Sequence, residues 1–409
     1  MRCGMQTFST MRVGIVAESF LPNINGVTNS VLRVLEHLKR EGHEAIVVAP
    51  GAREFQEEVP EYLGFTIVRV PTVRIPLVDS LPVGVPTTTV AAALAEFKPD
   101  IIHLASPFVL GGAGAFAARQ LDVPAVGLYQ TDVAGFATKY HAAMIAAIAW
   151  DWTRTVHNMC ALTLAPSSAA IADLEAHGIR NVRHWGRGVD VELFAPSRRS
   201  ELLRRQWEPT GKKKIVGFVG RLAAEKSVHR LASLATDPTI QLVVVGDGPE
   251  RHALEQLLPK AVFTGALSGT ELARAYACLD LFVHTGEFET FCQAIQEAQA
   301  AGVPTIGPRA GGPIDLIEHG VNGLLLDVDT FEQELPDAAA WVLDDARLDL
   351  LKRNACESVA TKTWEALGQQ LMGYYEGVIA GYNRNMVSVF GRDVALPGWM
   401  RMPQRARGA

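Results

Sequence analysis

Nothing in the sequence is long and apolar enough to cross a bilayer as a helix. No stretch of its 409 residues approaches about eighteen uninterrupted apolar side chains. The N-terminus lacks the basic segment and apolar run of a secretory leader; residues 1–10 read as an irregular extension, with Met11 as an alternative start. Cysteine is sparse. Cys3, Cys160, Cys278, Cys292 and Cys356 are far apart and form no Cys-x-x-Cys pair, which argues against a disulfide framework or a zinc site and fits a reducing cytosol. Positive charge is not in excess. A formal net charge of -6 speaks against a general nucleic-acid binder, while leaving room for a local basic patch against anionic lipid. There is no internal repeat and no low-complexity tract.

What is present is an alternation of short β-branched runs with longer helical periods. Buried strands are expected at 12–17, 45–49, 100–104 and 124–128. The first is followed by an amphipathic helix over 27–40, with Val27, Val31, Val34, Leu35 and Leu38 on one face and Gly42 past its end. Ser167 is placed as the N-cap of a helix ending near Gly178. Near Pro196 the chain turns polar, and the pattern then restarts with strands at 214–219, 241–245, 261–263, 280–283, 304–306 and 323–326. Such alternation implies parallel sheets covered on both faces. The reading is an α/β protein of two Rossmann-like, doubly wound domains facing a cleft, at 11–196 and 212–375. A C-terminal extension, 376–409, is expected to pack back on the first domain. Open parallel sheets bind ligands at the carboxyl ends of their strands, so the shared cleft is the expected site.

Three segments there carry candidate chemistry. The loop from Glu18 to Gly26 joins a strand to a helix N-terminus, where free amides favour an anion and Gly26 permits close approach; a plain turn fits equally well. The dinucleotide fingerprint Gly-x-Gly-x-x-Gly is absent from it, which weakens a dehydrogenase. In the second segment, Arg221 ends a strand and Lys226 opens the next helix. A short loop between them brings two cations to one point, which suits a leaving diphosphate better than a solvated surface pair. The third is the pair Glu289 and Glu297, with seven residues between. With a helix starting near Thr290, eight residues span about 12 Å, room for one polar anchor on each side of a diphosphate. The amides of Thr290, Phe291 and Cys292 at the helix start are offered to phosphate.

Taken in order, GRLAAEK, VVVGDGPE, FTGALSGTELARAYA, the paired glutamates and AGVPTIGPRAGGPIDLIEHGVNGLLLD resemble the donor domain of family-four retaining glycosyltransferases of GT-B fold. VAESFLPNINGVTNSV and RGVDVELFAP resemble the same family, so the likeness spans roughly residues 11–380. HLASP, YQTDVAGFA, WGRGVDVELFAP and ETFCQ are similar to the actinobacterial branch that uses GDP-mannose to mannosylate glucuronosyl diacylglycerol. Related members act on phosphatidylinositol or transfer sulfoquinovose.

The resemblance assigns Gly26, Arg221 and Lys226 to the donor diphosphate, Glu289 to the sugar hydroxyls and Glu297 to the ribose. It implies a catalytic set of Arg221, Lys226 and Glu289, a GDP-sugar donor and a diacylglycerol-based glycolipid acceptor. It also implies a cytoplasmic protein at the inner face of the plasma membrane. No residue stands out as a sugar nucleophile, so same-face displacement is expected, with the leaving phosphate taking the acceptor's proton. The only Asp-x-Asp, Asp327-Val-Asp329, follows a strand far from the cations and reads as a helix cap, so no metal cofactor is expected.

Two departures matter. Gln130 stands where phosphatidylinositol mannosyltransferases carry a histidine, and Cys292 stands where many members have glycine; the cysteine is read as a helix-buried packing residue. Gln130, Asp132 and Arg187 are the acceptor candidates, with a helix cap as the alternative for Asp132. Arg187 suits an acceptor carboxylate, with a structural salt bridge to Asp190 or Glu192, or a donor phosphate, as alternatives. A membrane patch is expected at Arg53, Arg69 and Arg74 and over 139–154, with Trp150 and Trp152. Two other classes remain open: a sugar-nucleotide epimerase, and a non-catalytic sensor of sugar nucleotides.

Overall fold

The computed structural model describes residues 10–52, 56–73, 83–130 and 143–390. The first domain is built on an eight-stranded sheet. From edge to edge it runs Val182–His184, Leu162–Ala165, Ala125–Leu128, Ile101–Ala105, Arg12–Ala17, Glu44–Pro50 and Phe65–Val70, with the antiparallel Glu61–Tyr62 outermost. The second is a six-stranded parallel sheet ordered Val262–Gly265, Ile240–Val245, Lys214–Val219, Leu281–Val283, Thr305–Pro308 and Gly323–Leu326. In each sheet the winding reverses beside its first strand. These are the two switch points, where crevices open above the strand ends.

The central strands are buried on both faces. Val13, Ile15, Val16 and Ala17 are fully buried, as are Val216 and Leu281. Continuous apolar runs of this kind are what a sheet covered by helices on both sides requires. The helix Gly26–Arg40 starts on Asn25, whose side chain accepts from the amides of Val27 and Thr28, both at 3.0 Å. Ser167 caps the helix Ser168–Ala176 by accepting from Ala170 N. Phe65–Val70, Leu162–Ala165 and Val182–His184 escape the sequence reading, as do the two-residue strands Glu61–Tyr62, Thr72–Val73 and Val83–Gly84.

The junction lies upstream of Pro196. Val189 and Phe194 already pack in the second domain's core with Tyr276 and Phe282. The polar stretch after Pro196 is that domain's surface, and its helix Glu201–Trp207 buries Trp207 in the same core. The return crossing also comes early. The helix Trp364–Phe390 sends Leu371, Met372 and Tyr375 into the first domain's core beside Val13 and Ile15, and the Tyr375 hydroxyl bonds the buried His103 ring. The two crossings touch: Val189 N donates to Lys362 O at 2.9 Å, and Val189 bridges Thr363. Among the described residues no helix is long and apolar enough to cross a membrane.

Candidate active site

A pocket of about 420 Å³ opens between the domains. Gln130 and Arg187 line it from the first; from the second come the segments around Arg221 and Lys226, and from His284 to Ala294. These two segments follow the strands Lys214–Val219 and Leu281–Val283, which flank the second sheet's switch point.

Lys226 closes a short 3₁₀ turn, Ala224–Lys226. Thr285 fastens this turn by donating its hydroxyl to Lys226 O at 2.6 Å. The ammonium donates to Glu289. Burial alone would lower the Lys226 pKa, but the charge and hydrogen bond of Glu289 outweigh it and leave the pKa raised. Arg221 is mostly exposed and pairs with the largely buried Glu225. Both cations therefore face the pocket with a carboxylate each. The sequence reading missed Glu225, although its i,i+4 spacing from Arg221 is a usable signal.

Glu289 sits four residues before the helix Gln293–Ala300, so that helix begins later than Thr290. Glu297 is one turn into it rather than two, and it does not line the pocket. Burial pushes its pKa up to about 7, partly offset by the Tyr276 hydroxyl. Cys292 is the N-cap and not a helix-interior residue. Its φ of +78° is a left-handed conformation, which explains why glycine suits this position. Thr290 and Phe291 line the pocket, and the Thr290 hydroxyl donates to Gln130 O at 3.4 Å, across the cleft.

Arg187 is held from the first domain. Nη1 donates to Gly26 O and Nη2 to Gln130 Oε1, both at 3.2 Å. The expected alternative of a salt bridge to Asp190 or Glu192 does not form, because Asp190 accepts from the amides of Glu192 and Leu193. Burial lowers the Arg187 pKa and the charge of Glu289 partly offsets this. Gly26 lies under the guanidinium, where an added Cβ would meet Nη1 at 3.2 Å. The Gln130 Nε2 donor is buried without a partner, beside the pocket. His284, another lining residue, directly follows its strand and is buried; burial drops its pKa to about 4.

Asp132, Arg53, Arg74 and residues 139–142 lie outside the described residues. Arg69, expected in a membrane patch, turns inward and donates to the carbonyls of Pro50, Leu21 and Val59, tying a strand end to two loops. Trp152 donates to Phe108 O at 2.7 Å and covers Gly112, while Trp150 stacks on His177 with ring centroids 3.7 Å apart. Both tryptophans pack within the protein. Asp327 pairs with Arg309 at 2.9 Å, away from the pocket, and its carbonyl accepts from Thr330, the N-cap of the helix Phe331–Leu343.

Comparison with known proteins agrees with this geometry. Residues 24–193 match the family model "Glycosyltransferase Family 4", and residues 199–363 match "Glycosyl transferases group 1". The chain is 64% identical over 399 residues to a GDP-mannose-dependent alpha-mannosyltransferase of Corynebacterium glutamicum, covering 97% of each. It is 52% identical to the protein of that name from Mycolicibacterium smegmatis, covering 90% of this chain and 98% of the relative. A crystal structure of Anabaena Alr3699/HepE in complex with UDP shares the fold, with a TM-score of 0.73 at 21% identity over 90% of this chain and all of that one. Two Rossmann-like sheets facing one cleft are thus the GT-B architecture, and the chain is an enzyme that belongs to glycosyltransferase family 4.

Proposed function

We propose that this enzyme transfers mannose from GDP-mannose, with retention at the anomeric carbon and without a metal cofactor, to an anionic diacylglycerol glycolipid. The acceptor that fits best is glucuronosyl diacylglycerol, met at the inner face of the plasma membrane. The donor reading is supported by 64% identity across 97% of both chains to a relative named for it. The observation that carries the acceptor reading is Arg187. It faces the pocket from the acceptor-side domain with only neutral hydrogen-bond partners among the described residues.

In this reading Arg221 and Lys226 hold the diphosphate and stabilise the charge that builds as it leaves. Glu289 accepts from hydroxyls of the donor sugar. Gln130 offers its unsatisfied Nε2 to the same sugar or to the incoming hydroxyl. Glu297, one turn along the helix from the pocket wall, takes the ribose. With no side chain among the described residues placed as a nucleophile, the acceptor oxygen attacks from the face the phosphate leaves, and that phosphate takes its proton. Arg187 holds the acceptor's carboxylate through two parallel hydrogen bonds.

The experiment is to incubate the protein with radiolabelled GDP-mannose and vesicles containing glucuronosyl diacylglycerol, with and without excess EDTA. The expected result is one labelled glycolipid with an α-mannosyl linkage by NMR, formed equally in both. Isomerised sugar nucleotide without acceptor, no turnover at all, or an EDTA loss restored by Mg²⁺ or Mn²⁺ would each overturn a named part of the reading.

A further inference from the structure

We propose that His284, Glu289 and Cys292 form a binding site for a thiophilic divalent cation of the zinc type, and that its occupancy closes the donor pocket. One ligand atom from each, an imidazole nitrogen, a carboxylate oxygen and Sγ, lies within 4.8 Å of the other two. His, Cys and carboxylate together are a donor set for Zn²⁺, which takes four ligands in a tetrahedron. Mg²⁺ wants an octahedron of oxygens and finds one carboxylate here.

Two features of the fold put the three groups together. His284 follows the end of the strand Leu281–Val283 and is buried at 2% exposure, with its Nε2 free of hydrogen bonds and 3.6 Å from Glu289 Oε1. A buried imidazole nitrogen without a partner is costly, and a metal ion satisfies it. The left-handed turn at Cys292 then brings the chain back, so that the thiol lines the same pocket. A glycine there, as in many family members, would leave only two ligands.

The corner already holds a cation, since the Lys226 ammonium sits on Glu289. A zinc ion binding there takes the carboxylate from Lys226, draws the proton from the Cys292 thiol into solvent, and keeps water as its fourth ligand. It occupies the side of Glu289 that faces the pocket, where a donor sugar would lie. The site is therefore inhibitory and competitive with the donor, and it is no cofactor site. The inference rests on these three side chains and not on the identity of the acceptor.

The test uses the full chain and metal salts alone. Equilibrium dialysis against Zn²⁺ counts bound metal, and Co²⁺ substitution is read by its thiolate charge-transfer band. Cys292→Gly is the first variant, because glycine adopts a φ of +78° without strain and the fold is kept; His284→Gln is the second. Expected are one more bound metal in the parent than in Cys292→Gly, a thiolate band lost in that variant, and at least about tenfold weaker binding in His284→Gln. Mg²⁺ should neither bind nor inhibit, and donor should weaken zinc binding. Equal metal stoichiometry and spectrum in parent and Cys292→Gly would overturn the proposal, as would zinc binding that is indifferent to donor.

Discussion

Lys226 and Glu289 are locked together across the pocket, a cation from one loop donating to a carboxylate from the next. The partners come from the loops after neighbouring strands, Lys214–Val219 and Leu281–Val283, so the pair ties the two sides of the switch point together. In the proposed reading, a donor diphosphate that draws on Lys226 frees Glu289 for a sugar hydroxyl at the same moment. Loading the donor and presenting the sugar's anchor become one event.

That coupling sets the expected cost of removing the cation. Lys226→Ala should lower kcat by on the order of thirtyfold to a thousandfold, since a charge-assisted contact to a developing anion is worth about 2–4 kcal/mol. Arg221→Ala should cost less than Lys226→Ala, because Arg221 is the more exposed of the two. Steady-state kinetics with thermal melting separates this from unfolding. Turnover near the parent's in both variants would remove the pair from the site.

Glu297 predicts a pH dependence. Its pKa stands near 7, above the ordinary 4.5, so the folded protein holds that proton more tightly than the unfolded chain. The contribution to stability is full below about 4.5 and is lost as pH rises through 7. If Glu297 takes the ribose as proposed, the ribose hydroxyls donate to the ionised carboxylate, so nucleotide binding has the opposite slope. Calorimetry should find the Kd for GDP falling between pH 6 and 8, and the slope should flatten in Glu297→Gln. A slope retained in that variant would assign the titration elsewhere.

The loop that carries Glu289 is backed by glycines. Gly312 N donates to Glu289 O at 2.7 Å, and a Cβ on Gly312 would overlap the Phe291 backbone. Gly312→Ala therefore pushes the whole turn towards the pocket. A displacement of about 1 Å at a reacting centre costs on the order of a hundredfold, so kcat should fall by about that much. Melting should shift modestly, by the 1–3 kcal/mol typical of overpacking. Full activity would show that the turn yields elsewhere.

Much of this molecule is legible in its sequence, for a physical reason. Strands buried on both faces must be continuous apolar runs, and Arg12–Ala17, Lys214–Val219 and Gly323–Leu326 stand where such runs stand. Val182–His184 is three residues at a sheet edge, and two of them are exposed, so it writes no such run. Leu162–Ala165 is too short to separate from the helix before it. Thr66 and Arg69 break the apolar run in Phe65–Val70. Polarity places the domain junction near Pro196, but polarity reports exposure rather than membership: Phe194 belongs to the second core although charged residues follow it. Arg221, Lys226 and Glu289 are legible as pocket-lining candidates because all three sit in the connections that follow strands of a parallel sheet. The partners of Arg187 are not, lying 57 and 161 residues away in sequence.

Arg187 carries the sharpest prediction about substrate choice. Its guanidinium is anchored at two points, Gly26 O and Gln130 Oε1, which fixes its plane. Neither anchor is charged, so the positive charge is not neutralised at its hydrogen bonds. Among the described residues Glu289 is the acid whose field reaches it, and that carboxylate is held by Lys226. A partly buried guanidinium with this surplus favours an anionic ligand. In the proposed reading two anions meet in the cleft, the donor diphosphate and the acceptor carboxylate, and they make different demands. If Arg187 serves the acceptor, Arg187→Gln keeps a neutral donor to Gly26 O and Gln130 Oε1 but loses the fork. The acceptor KM should then rise by roughly tenfold to a hundredfold, in line with the 1.5–3 kcal/mol of a hydrogen bond to a charged group. The Kd for GDP without acceptor should stay as it was. The preference for glucuronosyl over neutral glucosyl diacylglycerol should shrink by the same factor, because only the carboxylate distinguishes them. Arg187→Lys should restore part of the affinity and little of the preference, since a point charge attracts a carboxylate without orienting it. Weakened GDP binding in Arg187→Gln with the lipid preference intact would move Arg187 to the diphosphate and leave the acceptor's carboxylate without a partner on this wall of the cleft.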